Sequence, residues 1–328
     1  MGKLSSLTEK VAKVGRFGTE FFRDMALYIR YCGISPMQDA QKRRFYKLLI
    51  ECHALEKGLS LLNPRALFGK TKIDFLRKEL DLYDLSQSPL PAEMILGTFE
   101  IYVDRHRERG VSDPYLDEVA AYAAKKRSTL AVTPHGGLRH FERGYKDITA
   151  MAPADFIASR FSSRTFSDKK LERAQVEKAV ALAQQAPSQC NRQASHAYFY
   201  QDRDAIARLL KLQGGSSGFA QDVHNLFVIT VDLAAWGGAQ QRNQLYVDGA
   251  LFSMTLIYAL HATGIATCPL NLAVTNRTEN DIRQAGDIPS DQRLIMMIAV
   301  GEPARLTAVD AACSPRRKTT EILHFEKA

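Results

Sequence analysis

Apolar residues recur every three or four positions through most of the first 130 residues. Phe45, Leu48, Leu49, Cys52, Leu55 and Leu59 share one face, and their spacing predicts a helix within 37–62. Val11, Val14, Phe17, Phe21, Phe22, Met25 and Tyr28 keep the same period between Lys and Arg. A helix docked on a neighbouring domain would read this way, and so would one lying at a membrane interface. Further helical periods cover 71–84, 92–109 and 114–128, punctuated by Asn63-Pro64, Ser86–Pro91 and Gly110–Pro114. After Thr133-Pro-His-Gly-Gly-Leu138, read as a linker, the pattern changes. Helical periods at 171–185, 203–212, 242–263 and 278–285 alternate with short apolar runs at 196–201, 225–231, 265–271 and 292–300, which read as strands. The pattern thus predicts a helical region of unknown role over 1–140 and a helix-and-strand domain over 150–328.

Two short polar segments interrupt the second pattern. Arg160-Phe161-Ser162-Ser163-Arg164-Thr-Phe166 carries two guanidiniums four residues apart, which a helical turn would place on one face, with hydroxyls beside them. Guanidinium forks suit a phosphate. Ala186-Pro187-Ser188-Gln189-Cys190-Asn191-Arg192-Gln193 adds a stiffened turn bearing amide donors and acceptors. A phosphorylated heterocycle would satisfy both segments; a Ser-capped helix with solvated arginines followed by a polar loop would account for them equally well.

Arg-x-Ser-x-Arg-x-Phe, a helix, then Ala-Pro-Ser-x-x-Asn-x-Gln resembles the opening of the FMN-dependent nitroreductase superfamily. Asp248-Gly-Ala250, Gly264–Asn271, the strand 292–300, Gly301-Glu-Pro303 and Arg316-Arg317-Lys318 follow in that family's order, so the resemblance covers roughly 153–328. Thr267-Cys268-Pro269-Leu270-Asn271 is most similar to the iodotyrosine-deiodinase and flavin-destructase branch. The resemblance implies an α+β fold, a three-layer α/β/α sandwich around a mostly antiparallel sheet, preceded here by the helical region. It implies a homodimer with FMN at the subunit interface. Within it Arg160, Phe161, Ser162, Ser163 and Arg164 would lie at the phosphate and the pyrimidine edge, and Pro187, Ser188 and Gln189 against the ring from the partner subunit. Asn191 and Gln193 would lie near the ring, Thr267 to Asn271 along flavin N5, and Arg316 and Arg317 back at the phosphate. The family's Gln-Pro-Trp is Gln193-Ala-Ser195 in this chain, which changes the packing behind the flavin.

The implied activity is hydride transfer from NAD(P)H through the flavin to a nitroaromatic, quinone or similar electron-poor molecule, with ping-pong kinetics. The alternatives are a specialised reaction of the same superfamily, namely reductive dehalogenation, flavin fragmentation or dehydrogenation of a biosynthetic intermediate, and a non-catalytic flavin scaffold. No side chain is assigned a catalytic proton or a metal. The residues from Trp236-Gly-Gly to Arg242 occupy the family's lid position.

Composition narrows the remaining classes. The five cysteines form neither C-x-x-C nor a metal-ligand spacing, and no apolar run approaches a bilayer span. A reducing cytoplasm fits. Of the net charge of +8, most lies before residue 150, with 25 basic against 19 acidic side chains, but no basic run is interleaved with aromatics and no nucleic-acid module is evident. Gly214-Gly-Ser-Ser-Gly218 lacks the Lys-Ser/Thr of a phosphate loop. His53, Glu56 and Lys57 share a helix side, as a surface ion-pair group near a helix end at Gly58 or as a substrate contact.

Overall fold

The computed structural model describes residues 39–142, 152–189, 193–235, 239–290, 292–305 and 307–326, with isolated positions between 12 and 36. The expected helix over 11–28 and the residues Cys190, Asn191 and Trp236 to Gly238 lie largely or wholly outside them. In chain order the helices are α1 (Ala40–Leu59), α2 (Lys70–Asp81), α3 (Leu90–Glu108), α4 (Pro114–Leu130), α5 (Pro153–Ser159), α6 (Arg173–Ala183), α7 (Arg203–Gln213), α8 (Gln244–Ala262) and α9 (Asn276–Ala285). The strands are β1 (Leu138–Phe141), β2 (Ser195–Tyr200), β3 (Asn225–Asp232), β4 (Ala266–Asn271), β5 (Gln292–Gly301) and β6 (Val309–Ala312). The described residues form two compact units, 39–141 with 309–326 in one and those between 152 and 308 in the other.

In the helical unit the periodic face of α1 is inside: Phe45, Leu48, Cys52, Leu55 and Leu59 join Ile73, Leu76, Ile95, Phe99, Tyr102 and Val119 in one core. The Thr133–Leu138 stretch, expected as a linker, runs against this unit, with Gly137 buried and Leu138 packed on the core. Gly136 lies so close to α3 that a Cβ added there would fall 2.0 Å from the Met94 carbonyl oxygen, and one on Gly97 would fall 2.4 Å from Gly136 N. Two facing glycines permit that approach. β1 then pairs antiparallel with β6, Leu138 opposite Ala312, so the C-terminal segment belongs to the helical unit.

In the other unit the strands run antiparallel in the order β2-β3-β5-β4. Every residue of β3 from Asn225 to Val231 is buried, so both faces of the sheet are covered. Phe227, Ile229, Ile298 and Val300 meet Val176 and Ala179 of α6 and Phe252, Leu256 and Leu260 of α8 on one face. Leu226, Val228, Met297 and Ala299 are buried on the other, where α7 and α9 pack together and Tyr200 donates to the Gly286 carbonyl. This is an α+β sandwich. Gly249 lets α8 sit directly on the sheet, since a Cβ there would fall 2.6 Å from Ile295 Cγ1 and 2.8 Å from Val231 Cγ2. Length and composition alone would let α8 cross a membrane, the one such helix among the described residues, but 56% of that stretch is buried in the unit.

Candidate functional site

The first polar segment is a strap on the sheet edge. α5 stops at Ser159 and Arg160 is extended, with φ −70° and ψ 128°. Ser163 N–H donates to the Thr267 carbonyl at 2.9 Å, on the open side of edge strand β4. Ser167 N–H donates to Glu302 O at 2.9 Å and Phe166 bridges to Pro303. Buried Phe161 and Phe166 hold the two ends. The helical turn expected to align Arg160 with Arg164 is therefore absent: two buried rings and an unpaired strand edge outweigh a single turn of helix, whose nucleation is unfavourable. Arg164 is buried and one of its terminal nitrogens lies 3.4 Å from Ser162 O, while the Ser163 hydroxyl turns inward to Thr165 O at 2.9 Å.

The neighbouring histidine escaped sequence reasoning. His261, in the last turn of α8, is buried with Nε2 2.8 Å from Ser159 Oγ. Burial, reinforced by the Arg160 charge, pushes its imidazole down to about 4, so it is neutral at pH 7. Its only signal in the chain is a polar residue near the end of an apolar helix.

The second segment is a turn tied to α8. Ser188 Oγ donates to Asp248 Oδ2 at 2.9 Å, Gln189 N–H donates to the same oxygen at 2.9 Å, and Gln193 N–H donates to Ser188 Oγ at 2.9 Å. Gln244 Nε2 donates to Asp248 Oδ1 at 2.8 Å. Asp248 is buried one turn inside the helix, and Gln193 takes a φ of 51° to close the loop. The hydroxyl of Ser188 and the N–H of Gln189 are thus committed to the turn, and Pro187 beside them is exposed. Pro187, Ser188, Gln193 and Ser195 line a cleft of about 100 Å³ with Asp248 and Phe252. Asn191 lies outside the described residues.

Along β4 the pleat separates neighbours. Thr267, Pro269 and Asn271 stand opposite Val300, Ile298 and Met296, on the α8 face, whereas Cys268 and Leu270 stand opposite Ala299 and Met297 on the other. Cys268 is buried there, and Pro269 and Asn271 are exposed.

The strap and the turn occupy opposite corners. Ser195 pairs with Val231, which pairs with Arg293 at the start of β5; Thr267 pairs with Val300 near its end. Three strand spacings and seven residues of rise put these anchors roughly 28 Å apart. Arg316 and Arg317 are in the helical unit: Arg316 donates to Ser314 O at 2.7 Å, and Arg317 Nε donates to Glu321 Oε2 at 3.0 Å. Among the described residues no His, Cys, Asp and Glu cluster could hold a metal ion.

No curated protein matches the chain. Solved structures align over about half of it: a B. megaterium protein, NfrA2 (18% identity, 52% of this chain and 73% of that one, TM-score 0.46), a nitroreductase family protein from Streptococcus pneumoniae (19%, 51% and 96%, TM-score 0.44) and an FMN-dependent nitroreductase from Clostridium difficile (17%, 52% and 96%, TM-score 0.42). The family model described as the nitroreductase family matches residues 157–225, a stretch that holds the strap, α6, the turn, β2 and α7. Over residues 157–225, then, the chain is similar to the nitroreductase family.

Proposed function

We propose that this protein is an FMN-dependent oxidoreductase that works as a homodimer, taking hydride from NAD(P)H and passing it to a nitroaromatic, quinone or similar electron-poor molecule. The observation that carries this reading is the separation of strap and turn. Their sheet anchors lie at opposite corners of the unit, an arrangement that suits a site to which two copies of the chain each give one half. α8 offers the surface for that: Val247, Leu251 and Met254 follow helical spacing and are exposed, while the opposite face of the same helix packs on the sheet.

The donor set of the strap fits a phosphate monoester. Arg160 and Arg164 supply guanidiniums and Ser162 a hydroxyl, all on main chain held by β4. Thr267 to Asn271, bordering the strap, would lie along the ring, and Pro187 with Gln189 and Gln193 would face it from the partner subunit. Bound FMN would supply the hydride chemistry; the protein's share is binding, orientation and exclusion of water. Arg164, the buried cation of the strap, would favour negative charge on the reduced cofactor.

Mixing two defective variants tests the shared site. Arg160→Ala/Arg164→Ala removes the strap's cations, and Pro187→Glu puts a carboxylate on the turn. Each alone should lose FMN. Refolded together they should regain about one site in four, since a mixed dimer has one intact site. No recovery on mixing would show that strap and turn do not meet across two chains.

A further inference from the structure

Gly214-Gly-Ser-Ser-Gly218 falls short of a phosphate loop because no lysine follows it. In the structure a lysine precedes it. α7 closes at Gly214, which has a φ of 78° and donates its N–H to Leu210 O, and Lys211 stands in the last turn. The chain then arches back beside the helix. Gly215 N–H donates to Gln213 Oε1 at 2.8 Å, and the N–H groups of Phe219 and Ala220 both donate to Ser216 O. Arg203, at the start of α7, staples the far end of the arch by donating to Val223 O at 3.0 Å and Gln221 O at 2.8 Å. Between arch and helix lies a groove of about 650 Å³, a size that suits a small molecule. It belongs to the sheet unit, and no residue of the strap or the turn lines it.

The lining divides by chemistry. Ile206, Leu210 and Val223 are apolar and buried, and Lys211, Ser216 and Ser217 gather toward the Gly214 end. Ser216 is 1% exposed, yet among the described residues no group bonds its hydroxyl, and none pairs with the Lys211 ammonium. A buried hydroxyl left without a partner is costly. The N–H groups of Ser217 and Gly218 make no main-chain bond either. Among the described residues no carboxylate lines the groove. Arg203 has given its terminal nitrogens to carbonyl groups, so Lys211 presents one positive charge beside unsatisfied donors, next to an apolar surface.

We propose that the groove between α7 and the 214–223 arch binds a small organic monoanion, a carboxylate on an apolar or aromatic body. The carboxylate lies among Lys211, Ser216 and Ser217, and the body lies along Ile206, Leu210 and Val223. This site is separate from the one proposed for the flavin and stands without it.

2-Naphthoate and its uncharged counterpart 2-naphthamide, titrated into the purified full chain with amide exchange followed by mass spectrometry, test the site. The acid should bind in a single saturable step and slow exchange within 203–223, and the amide should bind about tenfold more weakly for want of a charge-assisted contact. Lys211→Gln, at an exposed position, should cost the acid about tenfold and the amide less than about twofold. Ala207→Trp, also at an exposed position lining the groove, fills it and should abolish the slowing by either probe without moving the unfolding midpoint. Equal affinity for acid and amide, or a Lys211→Gln protein that binds the acid like the parent, overturns the anion site. Slowing confined to residues outside 203–223, or slowing that survives Ala207→Trp, overturns the groove as its place. Absence of saturable binding overturns the proposal outright.

Discussion

The strap at 160–167 and the turn at 187–193 are built in opposite ways. Main chain holds the strap, through Ser163 N–H to Thr267 O and Ser167 N–H to Glu302 O. The turn hangs on one buried side chain, Asp248, which takes the Ser188 hydroxyl, the Gln189 N–H and the Gln244 amide. Strap side chains other than buried Phe161 and Phe166 can therefore change with little effect on the fold, whereas the polar groups of the turn are its framework. Function and stability should separate at one segment and coincide at the other.

The largest effect is expected where two copies would meet. Leu251→Glu with Met254→Glu places two charges on the exposed stripe of α8 and should convert a dimer to monomers that release FMN, as seen by light scattering and flavin absorbance. A dimer that persists would move the interface elsewhere.

Next is Asp248→Ala. It leaves a partly buried N–H and two further donors without their acceptor and should cost about 3 kcal/mol by chemical denaturation, with FMN affinity falling in parallel. Arg160→Ala or Arg164→Ala should instead weaken FMN by about 2 kcal/mol in titration, since each removes a charge-assisted contact, while shifting the unfolding midpoint little. If the arginine variants lose stability as Asp248→Ala does, the contrast between the two segments collapses.

The smallest effect is a pH dependence. His261 has its folded-state value lowered to about 4, below its unfolded value, so the unfolded chain takes up the proton first. Its contribution to stability is complete above about pH 6.5 and is lost as pH falls toward 4, by on the order of 2 kcal/mol after allowance for screening. Denaturation of the parent and His261→Asn at pH 7 and 4.5 should show the parent losing more between the two. Equal losses would mean that His261 is not held neutral beside Ser159.

Periodicity made the elements legible. Phe45, Leu48, Cys52, Leu55 and Leu59 do line one buried face, and the alternation after residue 170 is the observed order of helices and strands. It could not show what each polar residue pairs with. The spacing of Arg160 and Arg164 fits a helix as well as a strap, and only the open edge of β4 decides between them. Asp248 was visible as part of a motif, yet its bonds to Ser188 and Gln189 join positions 60 and 59 residues away. Buried Glu56 accepts from Ser314 N–H at 3.3 Å across 258 residues, and nothing local to either position announces that bond. The C-terminal segment was read with the sheet domain because its motif follows that domain in order, whereas the β1–β6 pairing sets it in the helical unit.

Flavin content, read with reduction by a nicotinamide, tests the central claim most directly. Purified protein should be yellow, release about one FMN per chain on denaturation, as one shared site per copy requires, and bleach on anaerobic addition of NADH or NADPH, with colour restored by a quinone. Colourless protein that takes up no FMN on reconstitution, or a bound flavin that neither nicotinamide reduces, would contradict it.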